Sequence, residues 1–242
     1  MSYKVIVLLP ALICILVFPI NVQAIEQAIA QEIAQVNTNQ EIKESRKTWN
    51  FIAYLDDMEI GYQTFEVVNR GDVTEINIEA VFDVRFMFIS FYSYKHKNTE
   101  KWSKACLSQL NSETDDDGNK LFVEVTTDNS QTYVESTNRK FRSNQCVRSF
   151  AYWDIDLLKT NALLNSQTGE LIEITYKDHG LENISVNNQR VQSRKIQLLG
   201  KDSDGKPIDI SLWYNLKNEW LALESKLEDG QSLRYKLKQV SI

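Results

Sequence analysis

The sequence predicts a mainly β protein, built as a single curved antiparallel sheet or open half barrel of about eight to ten strands with a short N-terminal helix. The first observation is an alternation of apolar and polar residues, clearest between Glu75 and Arg85. Its apolar face consists of Ile76, Ile78, Ala80, Phe82 and Val84. The second is a set of turn dipeptides between such runs. The third is that only one proline, Pro207, lies beyond residue 20, so little interrupts the strands.

The predicted elements begin with a short helix over residues 25–36, where Ile25, Ile29, Ile33 and Val36 recur at helical spacing. A polar spacer runs to Lys47, and from Thr48 the period changes to two. The runs with strand patterning are Trp49–Leu55, Tyr62–Val68, Glu75–His96, Leu121–Thr127, Thr132–Ser136, Leu171–Lys177, Ile208–Tyr214, Trp220–Leu227 and Leu233–Lys238. The turns between them are Asp56-Asp57, Arg70-Gly71-Asp72, Asp117-Gly118, Thr168-Gly169, Asn187-Asn188, Asp204-Gly205 and Asp229-Gly230.

Two segments of the β region are not expected to form a simple strand. Glu75–His96 would be about 70 Å long as one strand, so we expect it to bend, bulge or break near Arg85–Met87. Beyond Arg85 both faces become apolar, which favours a long curved strand covered on both sides at one end. Asp154–Thr160 is the one segment with local helical patterning in the β region, and Asp154 is its expected N-cap.

The first 24 residues have the pattern of a secretory signal peptide. Lys4 precedes an apolar run from Val5 to Ile20, and Val22-Gln23-Ala24 supplies small residues before the expected cleavage after Ala24. An uncleaved membrane anchor is the alternative, but the run is shorter than the roughly 20 residues that span a bilayer. We therefore predict a periplasmic or secreted protein with no stable transmembrane span after processing. Its parts are a signal peptide (1–24), a helix and spacer (25–47) and a β domain (48–242).

Export changes the interpretation of the two cysteines of the mature chain, Cys106 and Cys146. In an oxidising compartment a lone pair of cysteines favours a disulfide, whereas in a reducing one they would be free thiols. The bond would close a loop of about 40 residues and contribute roughly 4 kcal/mol on the chain-entropy model. Two free thiols remain the alternative.

Charge and motif content exclude several classes of function. The formal net charge of −6 means that the chain has no excess of positive charge with which to bind a nucleic acid. The sequence contains no G-x-S-x-G, H-E-x-x-H, phosphate loop or dinucleotide fingerprint. The two histidines, His96 and His179, are far apart and lack a cysteine pattern, so neither zinc nor copper is expected. We expect no cofactor and no metal.

An acidic segment, Glu113–Glu124, has part of the spacing of a calcium-binding loop. Glu113, Asp115, Asp117 and Glu124 surround Gly118 at positions that supply oxygen ligands in such loops. The first position is Glu, however, and both flanks have strand patterning. An acidic hairpin turn is the favoured interpretation, and calcium binding stays open.

Two polar and aromatic clusters are the candidate sites. His96, Glu100 and Trp102 follow the long strand; a carboxylate near a histidine tunes a general base or holds a ligand, and a solvated loop among lysines is the alternative. Tyr152, Trp153 and Asp154 lie shortly after Cys146. A disulfide would bring them towards Trp102. This second cluster fits either an aromatic wall with one carboxylate or ordinary core.

The same motifs resemble a domain-of-unknown-function family of exported bacterial proteins over roughly residues 48–240. Those that carry the resemblance are Tyr92–His96, Glu100–Trp102, Ser112–Thr114, Cys146, Ser149–Asp154, Leu164–Gly169, Leu212–Tyr214, Trp220–Leu223 and Leu233–Tyr235. Ala105 stands where the family pattern has glycine. The resemblance implies a fold similar to the curved sheets of periplasmic lipoprotein carriers of the LolA/LolB kind, and hence a groove for an apolar ligand. It supplies no catalytic residue.

Three functions remain open. The leading one is a binding or carrier protein for a lipid or other apolar or amphipathic small molecule, held by the concave face near His96, Glu100, Trp102 and Tyr152–Asp154. The second is an envelope enzyme that uses His96, Glu100 and Asp154. The third is a structural or assembly partner of an envelope protein, docking through the helix of residues 25–36.

Overall fold

The structure is a computed structural model, and it describes residues 44–86 and 89–241 together with the isolated positions 23, 26 and 27. The predicted signal peptide therefore lies outside the described residues, apart from Gln23. Glu26 and Gln27 are helical, and the rest of the predicted helix of residues 25–36 is likewise outside them. The β region begins at Glu44, four residues earlier than the alternation from Thr48 predicts.

Fourteen strands and one short 3-10 helix make up the described part of the domain. The strands are β1 (Glu44–Leu55), β2 (Met58–Arg70), β3 (Val73–Phe86), β4 (Ile89–Ser103), β5 (Cys106–Asp116), β6 (Asn119–Asp128), β7 (Gln131–Ser136), β8 (Lys140–Ser143), β9 (Ala162–Leu164), β10 (Leu171–Val186), β11 (Gln189–Lys201), β12 (Pro207–Asn215), β13 (Trp220–Lys226) and β14 (Ser232–Ser241). The 3-10 helix spans Ile155–Lys159. Asp154 caps it as predicted, with its carboxylate accepting a hydrogen bond from Asp156 N at 3.0 Å.

All fourteen strands form one antiparallel sheet in the order β8-β7-β6-β5-β4-β3-β2-β1-β14-β13-β12-β11-β10-β9. Strands that are consecutive in sequence are adjacent in the sheet, except β8 and β9, and the pairing of β1 with β14 joins two meanders. The edge strands β8 and β9 do not pair with each other. The predicted fold class is therefore correct in its single antiparallel sheet, but the number of strands is larger than predicted.

The predicted long curved strand of residues 75–96 is wrong, because this segment is a hairpin. β3 ends at Phe86 and β4 returns beside it, with Phe82 opposite Tyr94 and Ala80 opposite His96. Next to the turn an even-numbered residue lies opposite an odd-numbered one, as in Phe86 and Ile89, but a bulge beside Val84 restores the pairing of even with even numbers. Away from the turn the two strands therefore share one alternation. The period-two pattern of apolar residues alone therefore cannot reveal this hairpin. Residues 87 and 88, between the two strands, lie outside the described residues, and the end of β3 at Phe86 agrees with the predicted break near Arg85–Met87.

The sheet curls strongly about its apolar face. Phe65 on β2 and Trp220 on β13 have ring centroids 5.0 Å apart, although the two strands are three positions apart in the sheet. In a flat sheet their backbones would be about 14 Å apart. Phe82 on β3 and Tyr235 on β14 are related in the same way and lie 6.2 Å apart. The apolar faces of the two meanders therefore meet across a concave interior.

The chain between β8 and β10, residues 144–170, crosses this concave interior; we call it the crossing segment. Tyr152 O accepts a hydrogen bond from Tyr214 Oη at 2.8 Å on one side, and Ser149 Oγ donates to Glu100 at 3.0 Å on the other. Its buried apolar side chains are Val147, Ala151, Leu157, Leu163 and Leu164. The core therefore contains side chains of the two meanders and of the crossing segment.

Candidate functional site

The inner face of β4 carries the first predicted cluster. His96, Asn98, Glu100 and Trp102 are all buried, whereas the lysines between them are exposed. This alternation is that of a strand with one face in the core. The alternative interpretation of this stretch as a solvated loop is therefore wrong, and the charged neighbours mark the outer face of the same strand.

Glu100 is a buried carboxyl group surrounded by three hydrogen-bond donors. Asn98 Nδ2 donates to Oε1 at 2.7 Å, and Trp102 Nε1 and Ser149 Oγ donate to Oε2 at 2.7 and 3.0 Å. Burial raises the pKa of Glu100, while these hydrogen bonds act in the opposite direction. Because Ser149 belongs to the crossing segment, Glu100 ties that segment to the sheet.

Arg148 forms a second link beside the first. Its guanidinium donates to Ala105 O at 2.9 Å and to Asp154 Oδ2 at 2.6 Å, and its Cζ lies 5.1 Å from the ring centroid of Trp102. Trp153 packs against the same indole edge-to-face at 5.8 Å. Trp102, Trp153 and Asp154 thus belong to one cluster, in which Trp102 is buried and the other two are partly buried. Asp154 serves both an ion pair and a helix cap.

His96 lies apart from Glu100, further along β4. Its Nδ1 is 2.8 Å from Thr114 Oγ1 on β5, and its ring stacks on Tyr94 with centroids 6.3 Å apart. Burial lowers the pKa of His96 to about 4, so the imidazole is neutral at neutral pH. Four residues of strand separate His96 from Glu100, about 13 Å of backbone.

The predicted set of His96, Glu100 and Asp154 does not form one hydrogen-bonded group. Each has its own partner: Thr114 for His96, the three donors for Glu100, and Arg148 for Asp154. Two groups that act together as a general acid and base lie within hydrogen-bonding distance of each other or of the same reacting group. The contacts within the described residues therefore favour structural roles for Glu100 and Asp154.

A cavity of about 660 Å³ lies between the crossing segment and the strands that curl around it. Its apolar wall includes Phe65, Ile78, Phe150, Ile210, Leu223 and Leu233. His96 and Tyr152 are the predicted site residues that line it, together with Tyr94. The predicted Glu100, Trp102, Trp153 and Asp154 are not among its lining residues. The candidate site is thus this cavity, supported by the buried cluster beside it.

Sequence reasoning missed several residues that line the cavity. Gln63 on β2 and Tyr235 on β14 both contribute to its wall. Asp202 and Lys206 come from the β11–β12 connection, and Asp229 comes from the β13–β14 connection. One local signal was present: Gln63 interrupts the inward face of β2, between Gly61 and the buried Phe65. The loops carried no such signal.

The acidic segment Glu113–Glu124 is the β5–β6 hairpin, as the favoured interpretation predicted. Asp117 and Gly118 form its turn, and the carboxylate of Asp115 accepts from Gly118 N at 2.9 Å and pairs with Lys120. Across residues 44–86 and 89–241 there is no group of three or more histidine, cysteine or acidic side chains arranged to hold a metal ion.

Cys106 and Cys146 form the predicted disulfide; their Cα atoms are 5.3 Å apart, and the two residues are 40 positions apart in sequence. The bond joins the start of β5 to the start of the crossing segment. Leu107 N donates to Val147 O at 2.9 Å immediately beside it. In the described part of the chain, no helix is long and apolar enough to cross a membrane.

The burial of His96 leads to a prediction about pH. Its folded pKa of about 4 lies below the ordinary value of 6.5, so the unfolded chain binds the extra proton first and stability falls as the pH drops through this window. We expect protonation of the imidazole to lower the free energy of unfolding by about 3 kcal/mol as the pH falls from 6.5 to about 4. Urea unfolding at a series of pH values should show this loss in the wild type and in His179→Gln, a variant of the exposed histidine. His96→Gln should lose about 3 kcal/mol less than either of them over the same range; an equal loss in His96→Gln would contradict the assignment.

Comparison with known proteins identifies a family and a fold. Residues 51–238 match the model of a domain of unknown function, DUF6134, which confirms the predicted resemblance to a family of unknown function. No curated protein matches the sequence. A beta-barrel-like protein of the domain of unknown function DUF1849 from Brucella abortus has a similar structure, with a TM-score of 0.61 and 11% identity, covering 81% of this chain and 97% of that one. At this identity the similarity shows the fold alone. The likeness to lipoprotein carriers stays a prediction.

Proposed function

The chain belongs to the DUF6134 family, and from its site we propose that it is a binding protein that holds an apolar or amphipathic small molecule in the concave cavity. The cavity itself carries this proposal. Its volume of about 660 Å³ lies within the range of small-molecule sites, which are concave, mostly apolar and equipped with a few polar groups. The walls come from both meanders and from the crossing segment, which together form a pocket instead of a flat surface.

Polar groups at fixed positions in this wall would orient an amphipathic ligand. His96 is held by Thr114, and Tyr94 Oη donates to Gln167 Oε1 of the crossing segment at 3.2 Å. Apolar side chains such as Phe65 and Leu233 line other parts of the same cavity. A ligand with an apolar body and one polar group would complement this arrangement of polar and apolar side chains.

The compartment belongs to the same proposal. A disulfide persists in an oxidising environment, and the Cys106–Cys146 bond agrees with the signal peptide predicted for residues 1–24. We therefore propose that the protein is located in the periplasm or outside the cell. A carrier of an apolar molecule in that aqueous space shields its ligand from water.

The other two hypotheses receive less support. The enzyme hypothesis requires His96, Glu100 and Asp154 to act together, and each is bonded to a different partner. The docking hypothesis rests on the helix of residues 25–36, which lies almost wholly outside the described residues and stays a prediction.

Native mass spectrometry of the purified protein, followed by solvent extraction, tests the binding function. We expect a bound amphiphile in the wild type and in Ala222→Trp, whose side chain is added on the outer face of β13. Ser225 lines the cavity on the same strand, so Ser225→Trp should fill part of it and remove the ligand. A wild-type protein that is empty and that also fails to bind the fluorescent apolar probe N-phenylnaphthylamine would overturn the proposal.

A further inference from the structure

The wall of the cavity contains an unpaired polar group. Gln63 is 8% exposed, and its Oε1 has no hydrogen-bond partner among the described residues. A buried polar atom without a partner is costly, and native structures satisfy nearly all of them. An amide presents an acceptor at one end and a donor at the other, so its complement is a group that both donates and accepts.

Two tyrosine hydroxyls in the same wall are also free. Tyr152 and Tyr235 line the cavity, and within the described residues no side-chain or backbone group is hydrogen-bonded to either hydroxyl. Burial raises the pKa of both hydroxyls, so they stay neutral. His96 is neutral as well, and its bond to Thr114 uses only Nδ1. The interior thus offers several hydrogen-bonding groups and no charge.

The charged residues of the cavity lie on two connections, β11–β12 and β13–β14, and on the adjoining end of β13. The lining contains two lysines, and both have carboxylate partners: Lys206 lies 4.0 Å from Glu228, and Lys226 lies 3.1 Å from Glu224. Asp202 and Asp229 add further negative charge to the lining. An anionic head group would therefore lose its hydration without gaining an unpaired cation among the described lining residues.

We propose that the ligand is an uncharged amphiphile bearing hydroxyl groups, of the monoacylglycerol class. Its hydroxyls would bind Gln63, His96 and the tyrosines, and its chain would lie against Phe65 and Leu233. This inference rests on the proposed binding function and adds the class of head group to it.

Three compounds with the same acyl chain distinguish the head-group inference from the binding function on which it rests. Monolaurin has free hydroxyls, methyl laurate is neutral without a donor, and laurate is an anion. Each is titrated against the protein by calorimetry and by displacement of N-phenylnaphthylamine at neutral pH. We expect monolaurin to bind about tenfold more tightly than either of the others, which corresponds to one or two additional hydrogen bonds.

Variants of β2 provide the matched control. Gln63→Leu should reduce the preference for monolaurin to less than about threefold and should bind N-phenylnaphthylamine at least as tightly as the wild type, because leucine adds apolar contact to the cavity wall. Thr64→Val, a near-isosteric change on the outer face of β2, should leave both unchanged. Equal affinities for the three compounds, or tightest binding of laurate, would overturn the head-group inference while the binding function stands. Failure of every compound and of the probe to bind would overturn the binding function itself.

Discussion

Replacing Glu100 with leucine is expected to lower the free energy of unfolding by about 3 kcal/mol or more. The change removes the acceptor of three buried donors, Asn98 Nδ2, Trp102 Nε1 and Ser149 Oγ. Each donor would keep the cost of its desolvation and lose its partner. Urea unfolding followed by tryptophan fluorescence measures the loss.

The matched control for this change is Glu124→Leu on β6. Glu124 is exposed, so the same substitution there should alter the free energy of unfolding by no more than about 0.5 kcal/mol. Glu100→Gln keeps the shape and one acceptor oxygen, and we expect a loss between those of the two leucine variants. A Glu100→Leu protein as stable as the wild type would show that the three hydrogen bonds contribute little, and would contradict the role given to this carboxyl group.

The double substitution Cys106→Ser and Cys146→Ser is expected to cost about 4 kcal/mol, because the open chain gains the conformational entropy that a loop of about 40 residues has lost. Thermal unfolding with and without a thiol reductant measures the effect. The reductant should lower the melting temperature of the wild type and leave that of the double variant unchanged. A wild type insensitive to full reduction would contradict the stabilising role of the bond.

Both changes act on the crossing segment, so both should affect ligand binding as well as stability. The disulfide fixes the start of the segment to β5, and Glu100 holds Ser149 a few residues later. Phe150 and Tyr152, which follow, form part of the cavity wall. The cavity therefore depends on the attachment of a long connection instead of on the sheet alone.

Local features of the fold follow from the sequence. Turns at Asp117-Gly118, Asn187-Asn188 and Asp229-Gly230 connect strands as predicted, because residues that tolerate positive φ mark such turns directly. The apolar face of β3 is inward, with Ile76, Ala80 and Phe82 buried. The disulfide was the favoured of two interpretations of Cys106 and Cys146, and it rested on the predicted export of the chain.

Several strands were missed because their inner faces mix polar with apolar residues, as in β5 with Leu107 and Leu110 and β11 with Ile196 and Leu198. β5 places Ser112 and Thr114 in the interior, and β11 places Ser193 there. Hydrogen bonds to other segments satisfy these groups. Thr114 binds His96 on the adjacent strand, Ser112 donates to Ser166 O of the crossing segment, and Ser193 donates to Glu182 O on the adjacent strand. The partners are distant in sequence, so a period-two search for apolar residues cannot recognise these strands.

The sequence by itself determined that this protein is an antiparallel β structure, because alternation and turn chemistry are local properties, and it left Cys106 and Cys146 as either a disulfide or two free thiols. It also singled out His96 and Tyr152, which line the cavity. Only the tertiary structure decided that residues 75–96 form a hairpin, that the crossing segment fills the concave face, and that Gln63 and Tyr235 share one cavity with His96. These facts depend on strand register and on the curl of the sheet, which bring together residues far apart in the chain.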